Sequence, residues 1–451
     1  MRRWILFFIV AIVAQSLAYS AVADTTAFVN VNVIPMTTDT VASQQTVIVT
    51  DGSISIIGDV DVVPVPEEAT VVDGTDRFLV PGLAEMHAHV PDAASAELDR
   101  YFALFVANGV TTVRGMLGRP SHLQLRDDLL SGKVFGPRLI TSGPSLNGRS
   151  VSGAADGERQ AREQHAAGYD FLKIHPGLDA EEFAAIADAA NELGIPFAGH
   201  VPSAVGVPNA LAAGIATIDH LDGYMAALLP SNYDRSGGYG GFFDVLLANQ
   251  VNTDEIEALA AATASAGTWN VPTQVLIEQL INEIPASELR NRPEMQYMPV
   301  ATVSRWVDAK ESQLAERGFS SEVAAQAIEV RRALILALHR ARGGILLGSD
   351  APQIFNVPGF SLHNELQLLV TSGLTPFEAL QAGTVNVARF LRLDTGAVEA
   401  GRQADLVLLD DNPLEDIGNS RRIHGVMVRG TWYSSGDIER RLRPYRHIGN
   451  P

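Results

Sequence analysis

The chain has 451 residues, enough for one large α/β domain with an appendage or for two or three ordinary domains. A composition that is 46% hydrophobic and 19% charged is that of a folded globular protein, and a formal charge of −19 argues against a polyanionic partner such as nucleic acid. Cysteine is absent, so no disulfide supports the fold and no lipid anchor can be built on an N-terminal cysteine.

At the N-terminus, Met1-Arg2-Arg3 is basic, Trp4 to Ala14 is apolar, and Ala21-Val22-Ala23 supplies the small residues that a signal peptidase needs. Residues 1–23 therefore read as a cleaved secretory signal, which predicts an exported protein, periplasmic or secreted. The competing reading is a retained anchor, since Trp4 to Ala23 could just span a bilayer; Gln15, Ser16 and Ser20 weaken it. No later segment approaches a membrane span, so no stable membrane insertion is expected after cleavage.

From residue 24 to 77 the pattern is short strands and turns, with a hairpin signal at Asp51-Gly52 between two β-branched runs. A second strand-rich block, 396–440, contains ADLVLLD at 404–410 and GVMVRGTWY at 425–433. Neither block alone can build a comfortable core, so together they predict one small β-sandwich made from both chain ends.

Between them, over 78–395, the grammar is strand, loop, helix, repeated. Strand candidates are 78–86, 110–116, 137–143, 171–176, 196–202, 215–221, 269–276 and 344–350. Residues 180–194 carry apolar positions at helical spacing and a terminal glycine as C-cap. Eight strands alternating with helices predict a (β/α)8 TIM barrel, whose chemistry sits at the C-terminal strand ends. A doubly wound open sheet is the alternative, but no glycine-rich phosphate loop follows the first strand. An insert over about 224–343 interrupts the repeat, rich in Gly and Tyr at first and then helical over 286–342. Such an insert reads as a lid, a specificity element or an oligomer contact.

The C-terminal ends of those strands carry His87 and His89, Lys173, His200, His220 and Asp350. In an extended strand residues i and i+2 share a face, so His87 and His89 project together as a chelate. Lys173 is one of only three lysines in the chain and lies inside the apolar run FLKIHPGL. A lysine buried in a barrel loses its proton or finds a permanent anion. As a neutral amine it can react with carbon dioxide, giving a carbamate able to bridge two divalent cations. His200 and His220, 20 residues apart on consecutive strands, face the His87/His89 pair. Asp350, before Ala351-Pro352, is either a helix N-cap or a metal ligand and proton shuttle.

The order HxH, Lys, His, His, Asp on eight strand ends resembles the amidohydrolase superfamily. GVTTVRGM (109–116), SLHNELQLLVTSGLTPFEAL (361–380), GRQADLVLLDDNPLEDI (401–417) and IHGVMVRG (423–430) are similar to the branch related to imidazolonepropionase, with dipeptidases of Xaa-Pro and Xaa-Arg type and amidases of aromatic acyl amino acids. The resemblance covers nearly the whole mature chain. It implies His87 and His89 as ligands of a more buried metal, carboxylated Lys173 as the bridge, His200 and His220 as ligands of a more exposed metal, and Asp350 as final ligand and acid/base. Two divalent metal ions are then expected, zinc by default because imidazole and carboxylate suit it, with manganese, cobalt and iron left open.

These roles imply hydrolysis of an amide (C–N) bond in a small-molecule substrate, a dipeptide or N-acyl amino acid, by a hydroxide shared between the cations, with Asp350 returning the proton to the leaving nitrogen. Candidate substrate contacts are Arg114 after the second strand, His175 beside Lys173, and Tyr224 just past His220, with Arg149 after the third strand as a further arginine at the mouth. Alternatives are a lactone or other ester hydrolase on the same site, and a non-catalytic metal-binding periplasmic protein. The resemblance leaves a homo-oligomer open as the assembly.

Overall fold

The computed structural model describes residues 24–233 and 240–446; the expected signal, 1–23, lies outside the described residues. The first strands are β1 (Thr25–Val33), β2 (Ala42–Thr50), β3 (Ser53–Asp59), β4 (Thr70–Asp73) and β5 (Phe78–Pro81). β6 (Leu83–Ala88), β7 (Val110–Gly115), β8 (Arg138–Thr141), β9 (Leu172–Ile174), β10 (Phe197–Gly199), β11 (Thr217–Asp219) and β12 (Trp269–Val271) come next, each pair separated by helix or loop. The chain closes on β13 (Leu406–Leu409), β14 (Ile423–Val428) and β15 (Thr431–Ser434).

Both chain ends do meet, but in a single mixed sheet and not in a two-sheet sandwich. Its order is β15-β14-β13-β5-β1-β2-β3, with β4 paired to β1. β5 joins the two ends, parallel to β1 through Asn32↔Phe78 and antiparallel to β13 through Leu406↔Pro81. The second layer of a sandwich is replaced by the barrel: Leu79, Leu406, Leu408 and Met427 gather with Phe28, Val47 and Val49, while Val80, Val407, Val426 and Val428 join the main core. Two hairpin tips from opposite chain ends pack together here. Asp51 and Gly52 sit at φ +48° and +79°, Arg429 and Gly430 at +48° and +81°, as two-residue hairpin turns require. A Cβ on Gly430 would fall 2.4 Å from Gly52 Cα, so only glycine fits.

The first expected barrel strand, 78–86, is thus split. Gly82, where a Cβ would fall 2.3 Å from Thr111 Oγ1, marks the point at which the chain leaves the terminal sheet, and β6 begins one residue later. β6, β7 and β8 form one parallel sheet and β9 to β12 another, in sequence order, giving a TIM-barrel-like α/β arrangement. Continuous ladders do not close a ring, however. Isolated bridges Ser142↔Phe171, Asn270↔Ile345 and Ala88↔Ala351 span the gaps, and the expected strand at 344–350 forms no strand. His220 and Thr273, at φ +64° and +44°, lie just past the ends of β11 and β12, and a left-handed residue cannot extend a ladder; Asp350, at +61°, closes the segment 344–350 in the same way. For the same reason the strand expected over 269–276 stops at Val271 and turns into a helix, Gln274–Ile281.

The helix expected at 180–194 spans Ala180–Leu193, with an Asp179/Glu182 capping box and Gly194 in the left-handed conformation. Over the insert run the helices Val300–Leu314 and Ser321–Arg340. No helix among the described residues is long and apolar enough to cross a membrane.

Candidate metal centre

The end of β6 presents two histidines of different character: His87 is almost wholly buried, while the His89 side chain is 24% exposed. His87 Nδ1 lies 2.8 Å from Asp219 Oδ2, which leaves Nε2 as the atom facing the cavity. Asp219 is fixed in turn by Arg114 Nη2 at 3.2 Å and by the Thr217 hydroxyl at 2.7 Å. Asp350 Oδ1 sits 3.1 Å from His89 Nε2 and 3.8 Å from His87 Nε2, and its other oxygen is 3.8 Å from His220 Nδ1. One ligand atom each from His87, His220 and Asp350 therefore falls within 4.8 Å of the others, close enough for one cation.

From that trio a row of imidazoles continues across the strand ends. The rings of His87 and His220 are 4.4 Å apart, those of His220 and His200 4.8 Å, and those of His200 and His175 4.8 Å. His200 Nδ1 is bonded to Asp222 Oδ2 at 3.0 Å and His220 Nδ1 to Thr273 Oγ1 at 2.8 Å. Burial pushes His87, His200 and His220 well below the usual histidine range, and takes His89 to about 3 and His175 to about 2. Neutral imidazole is the form that binds a metal.

Lys173 stands among these rings, and its charge contributes to the depression of all five histidines. Its side chain is fully buried and Nζ has no hydrogen-bond partner. Burial brings its pKa down to about 8, against the pull of Asp219 and Asp350. A Cβ on Gly199 would lie 2.9 Å from Nζ, so the glycine before His200 leaves that nitrogen its space. An orphaned buried amine, neutral imidazoles and a carboxylate form a donor set that suits divalent cations of zinc type, and the amine suits carboxylation.

The structure thus brings His87, His89, Lys173, His200, His220, Asp350 and His175 together in one cluster. It does not bring Arg114 and Tyr224 to the mouth. Arg114 is buried, donating to Met86 O at 2.6 Å, Thr217 Oγ1 and Asp219, and the Asp219 carboxylate offsets the burial of its charge. Tyr224 opens a short helix that turns inward, and its hydroxyl is taken up by Asn270 at 2.9 Å and Thr263 at 3.0 Å. Both correct the expectation of substrate contact. Arg149 is exposed in the loop after β8.

Several residues of the site escaped the sequence reading. Asp219 and Asp222 flank His220 in IDHLDG, so a signal existed: an aspartate inside an apolar strand needs a cation or an imidazole. Glu85 is fully buried and accepts the His87 and Ser349 amides at 2.9 and 2.8 Å, tying β6 to the segment that carries Asp350. Burial raises Glu85 to about 7. Arg331, from the insert helix Ser321–Arg340, donates to His220 O at 2.7 Å and Pro272 O at 2.9 Å, clamping the strand end that carries His220. Nothing in its local sequence marks it.

Against known proteins, the model of the amidohydrolase family matches residues 78–433. Over 77 residues the chain is 39% identical to ochratoxinase of Aspergillus niger, a match covering 16% of this chain and 15% of that relative's length. The solved structure of the A. niger ochratoxinase superposes with a TM-score of 0.64 at 18% identity, over 92% of this chain and 96% of that one. A bottromycin amidohydrolase gives 0.71 at 23% identity, over 93% and 90%. A Xaa-Pro dipeptidase with methionine bound in its active site gives 0.65 at 19%, over 91% and 100%. At such identities the likeness to the solved structures is one of fold.

Proposed function

Since this chain belongs to the amidohydrolase family, hydrolases of carbon–nitrogen bonds, we propose that it is an exported, binuclear metal-dependent member of it that cleaves the amide bond of a dipeptide or N-acyl amino acid. The observation that carries this reading is the buried, partnerless Nζ of Lys173 among five neutral imidazoles and Asp350. His87, His89, carboxylated Lys173 and Asp350 would hold the more buried cation, and carboxylated Lys173, His200 and His220 the more exposed one, with zinc as the first choice. A bound pair of cations supplies Lewis acidity toward a carbonyl oxygen and brings the pKa of water toward neutrality.

The chain's own residues do the rest. Asp219, Asp222 and Thr273 fix the rings of His87, His200 and His220 by taking one nitrogen of each. Asp350 is nearly buried, and burial beside Glu85 and Asp219 pushes its carboxyl well above the usual range. Its position between His87, His89 and His220 makes it the group to accept a proton from water and return it to the leaving nitrogen. Gln353, with Nε2 3.4 Å from Asp350 Oδ1 and 3.3 Å from His89 Nδ1, holds both in place. Export rests on the basic, apolar and small-residue pattern of residues 1–23.

The test is elemental analysis of the purified protein together with carbon-13 NMR after exposure to labelled bicarbonate. Two metal ions per chain, a carbamate resonance lost in Lys173→Ala, and turnover of at least one compound from a dipeptide and N-acyl amino acid panel are expected. Fewer than one metal ion per chain from metal-supplemented growth, or no carbamate signal, sinks the binuclear reading.

A further inference from the structure

The insert brings one apolar ring to the row of imidazoles, and it does so with a distorted backbone. Phe243 lies with its ring centroid 4.7 Å from that of His220 and 5.9 Å from that of His200, in the latter case with the planes only 8° apart. It is half-buried, and among the described residues it is the apolar ring in contact with the site histidines. Its backbone and that of Asp244 are left-handed, at φ +50° and +60°, inside an otherwise right-handed run of 3₁₀ turns over Phe242–Gln250. Aspartate tolerates this conformation, whereas a bulky aromatic adopts it only at a cost.

The surrounding chain is built to enforce that turn. Gly240 and Gly241 precede it, and a Cβ at either would fall 2.6 Å from Asp244 Oδ1 or 2.7 Å from Leu246 Cγ. Val245 and Ala248, one turn further on, are buried in the main core with Ala324 and Ala327 of the long insert helix. An anchored segment that keeps a half-buried aromatic residue in a strained turn over the histidine rings marks a ring held in place for contact. The other part-exposed side chains of the cluster, His89, His175 and Gln353, are polar.

We propose that Phe243 is a specificity-determining residue: its ring forms the apolar wall of the substrate pocket beside His200 and His220, so the preferred amide carries a bulky apolar or aromatic group adjacent to the scissile bond. This rests on the amide-hydrolase reading and names the substrate class for that site. A flat ring excludes water from a neighbouring apolar side chain and offers it an offset or edge contact, whereas it gives glycine nothing.

The experiment uses the metal-loaded full chain and dipeptides varied at one position at a time between glycine, leucine and phenylalanine. The wild-type protein is expected to prefer leucine or phenylalanine over glycine on one side of the bond by about tenfold or more in kcat/KM. Phe243→Ala should cut that ratio by about tenfold, and Phe243→Leu, which keeps an apolar wall, should retain most of it. A second arm, independent of turnover, compares calorimetric binding of N-acetylphenylalanine and N-acetylglycine to the same three proteins, with metal content measured in each. A selectivity ratio near one in the wild type, or one that Phe243→Ala leaves unchanged in both arms, overturns the proposal. Absence of turnover for every amide would instead strike the amide-hydrolase reading, and the binding arm would still decide the role of Phe243.

Discussion

Two lysines of this chain are fully buried, and their amines are treated differently by what surrounds them. Lys310, in the insert, and Lys173, at the barrel's end, both have side chains shut off from solvent, and burial brings each to a pKa of about 8. Lys310 Nζ donates to Gln279 O at 2.7 Å and to Asn282 O and Oδ1, both at 2.9 Å. These acceptors lie at the C-terminal end of helix Gln274–Ile281, where unpaired carbonyls and the helix dipole both favour a cation. Lys173 Nζ has no acceptor at all. Residue type, burial and pKa direction are the same in the two places; the hydrogen-bond partner separates a structural ammonium from an amine available for chemistry.

The sharpest way to break this comparison is to remove the partnerless lysine. Lys173→Ala is expected to lower kcat/KM on the best amide substrate by about 10⁴-fold or more, with metal content falling from two ions per chain toward one. Retained activity at full metal content would make Lys173 another Lys310, a structural residue whose partner had been overlooked. Asp350→Asn keeps the shape of the side chain but removes its proton-accepting capacity. A loss of about 10²–10⁴ in kcat with a smaller loss of metal is expected, read from steady-state kinetics beside elemental analysis. If metal loss accounts for the whole effect, Asp350 is a ligand only.

The two lysines were not equally legible in the sequence. Lys173 stood out because it interrupts an apolar run and lysine is rare in this chain, and the histidines at the later strand ends belonged to the same pattern. The alternation of strand and helix gave the locations of β7 through β12, since short apolar runs bounded by Gly and Pro carry a local signal. What could not be read was set by contacts distant in sequence. The split of 78–86 at Gly82 depends on Thr111, and the clamping of His220 depends on Arg331, 111 residues away. The placement of Thr273 beside His220 depends on Glu365, whose carboxylate accepts the amides of Gln274 and Val275 at 2.9 and 2.7 Å. Arg114 and Tyr224 failed as substrate contacts for a related reason: a strand position gives the face of a side chain, but not whether a buried anion or hydroxyl claims its end.

A smaller effect tests the support beneath the site. Asp219→Asn replaces the carboxylate that holds His87 Nδ1 and accepts from Arg114, while an amide of the same shape remains. Weakening of metal affinity by about 10–100-fold is expected, measured by competition with a chelator, and Asp219→Glu should recover part of it. Unchanged affinity in the asparagine variant would mean that His87 is oriented by packing alone. In that case the difference between a supported and an unsupported group would matter for Lys173 but not for its neighbours.

The smallest effect is expected at the satisfied lysine, and it is the control on which the comparison turns. Lys310→Met keeps length and apolar stem but removes three hydrogen bonds, leaving the Gln279 and Asn282 oxygens without their cation. Stranding buried acceptors costs about 1–3 kcal/mol. In a chain this long, the midpoint of thermal unfolding should fall by no more than about 2–4 °C per kcal/mol. Metal content and kcat/KM per folded molecule should match the wild type, since Lys310 reaches none of the histidines. A fall in metal content without a change in thermal stability would reverse the assignment: the insert would then be coupled to the metal centre, and hydrogen-bond satisfaction would no longer distinguish the two lysines.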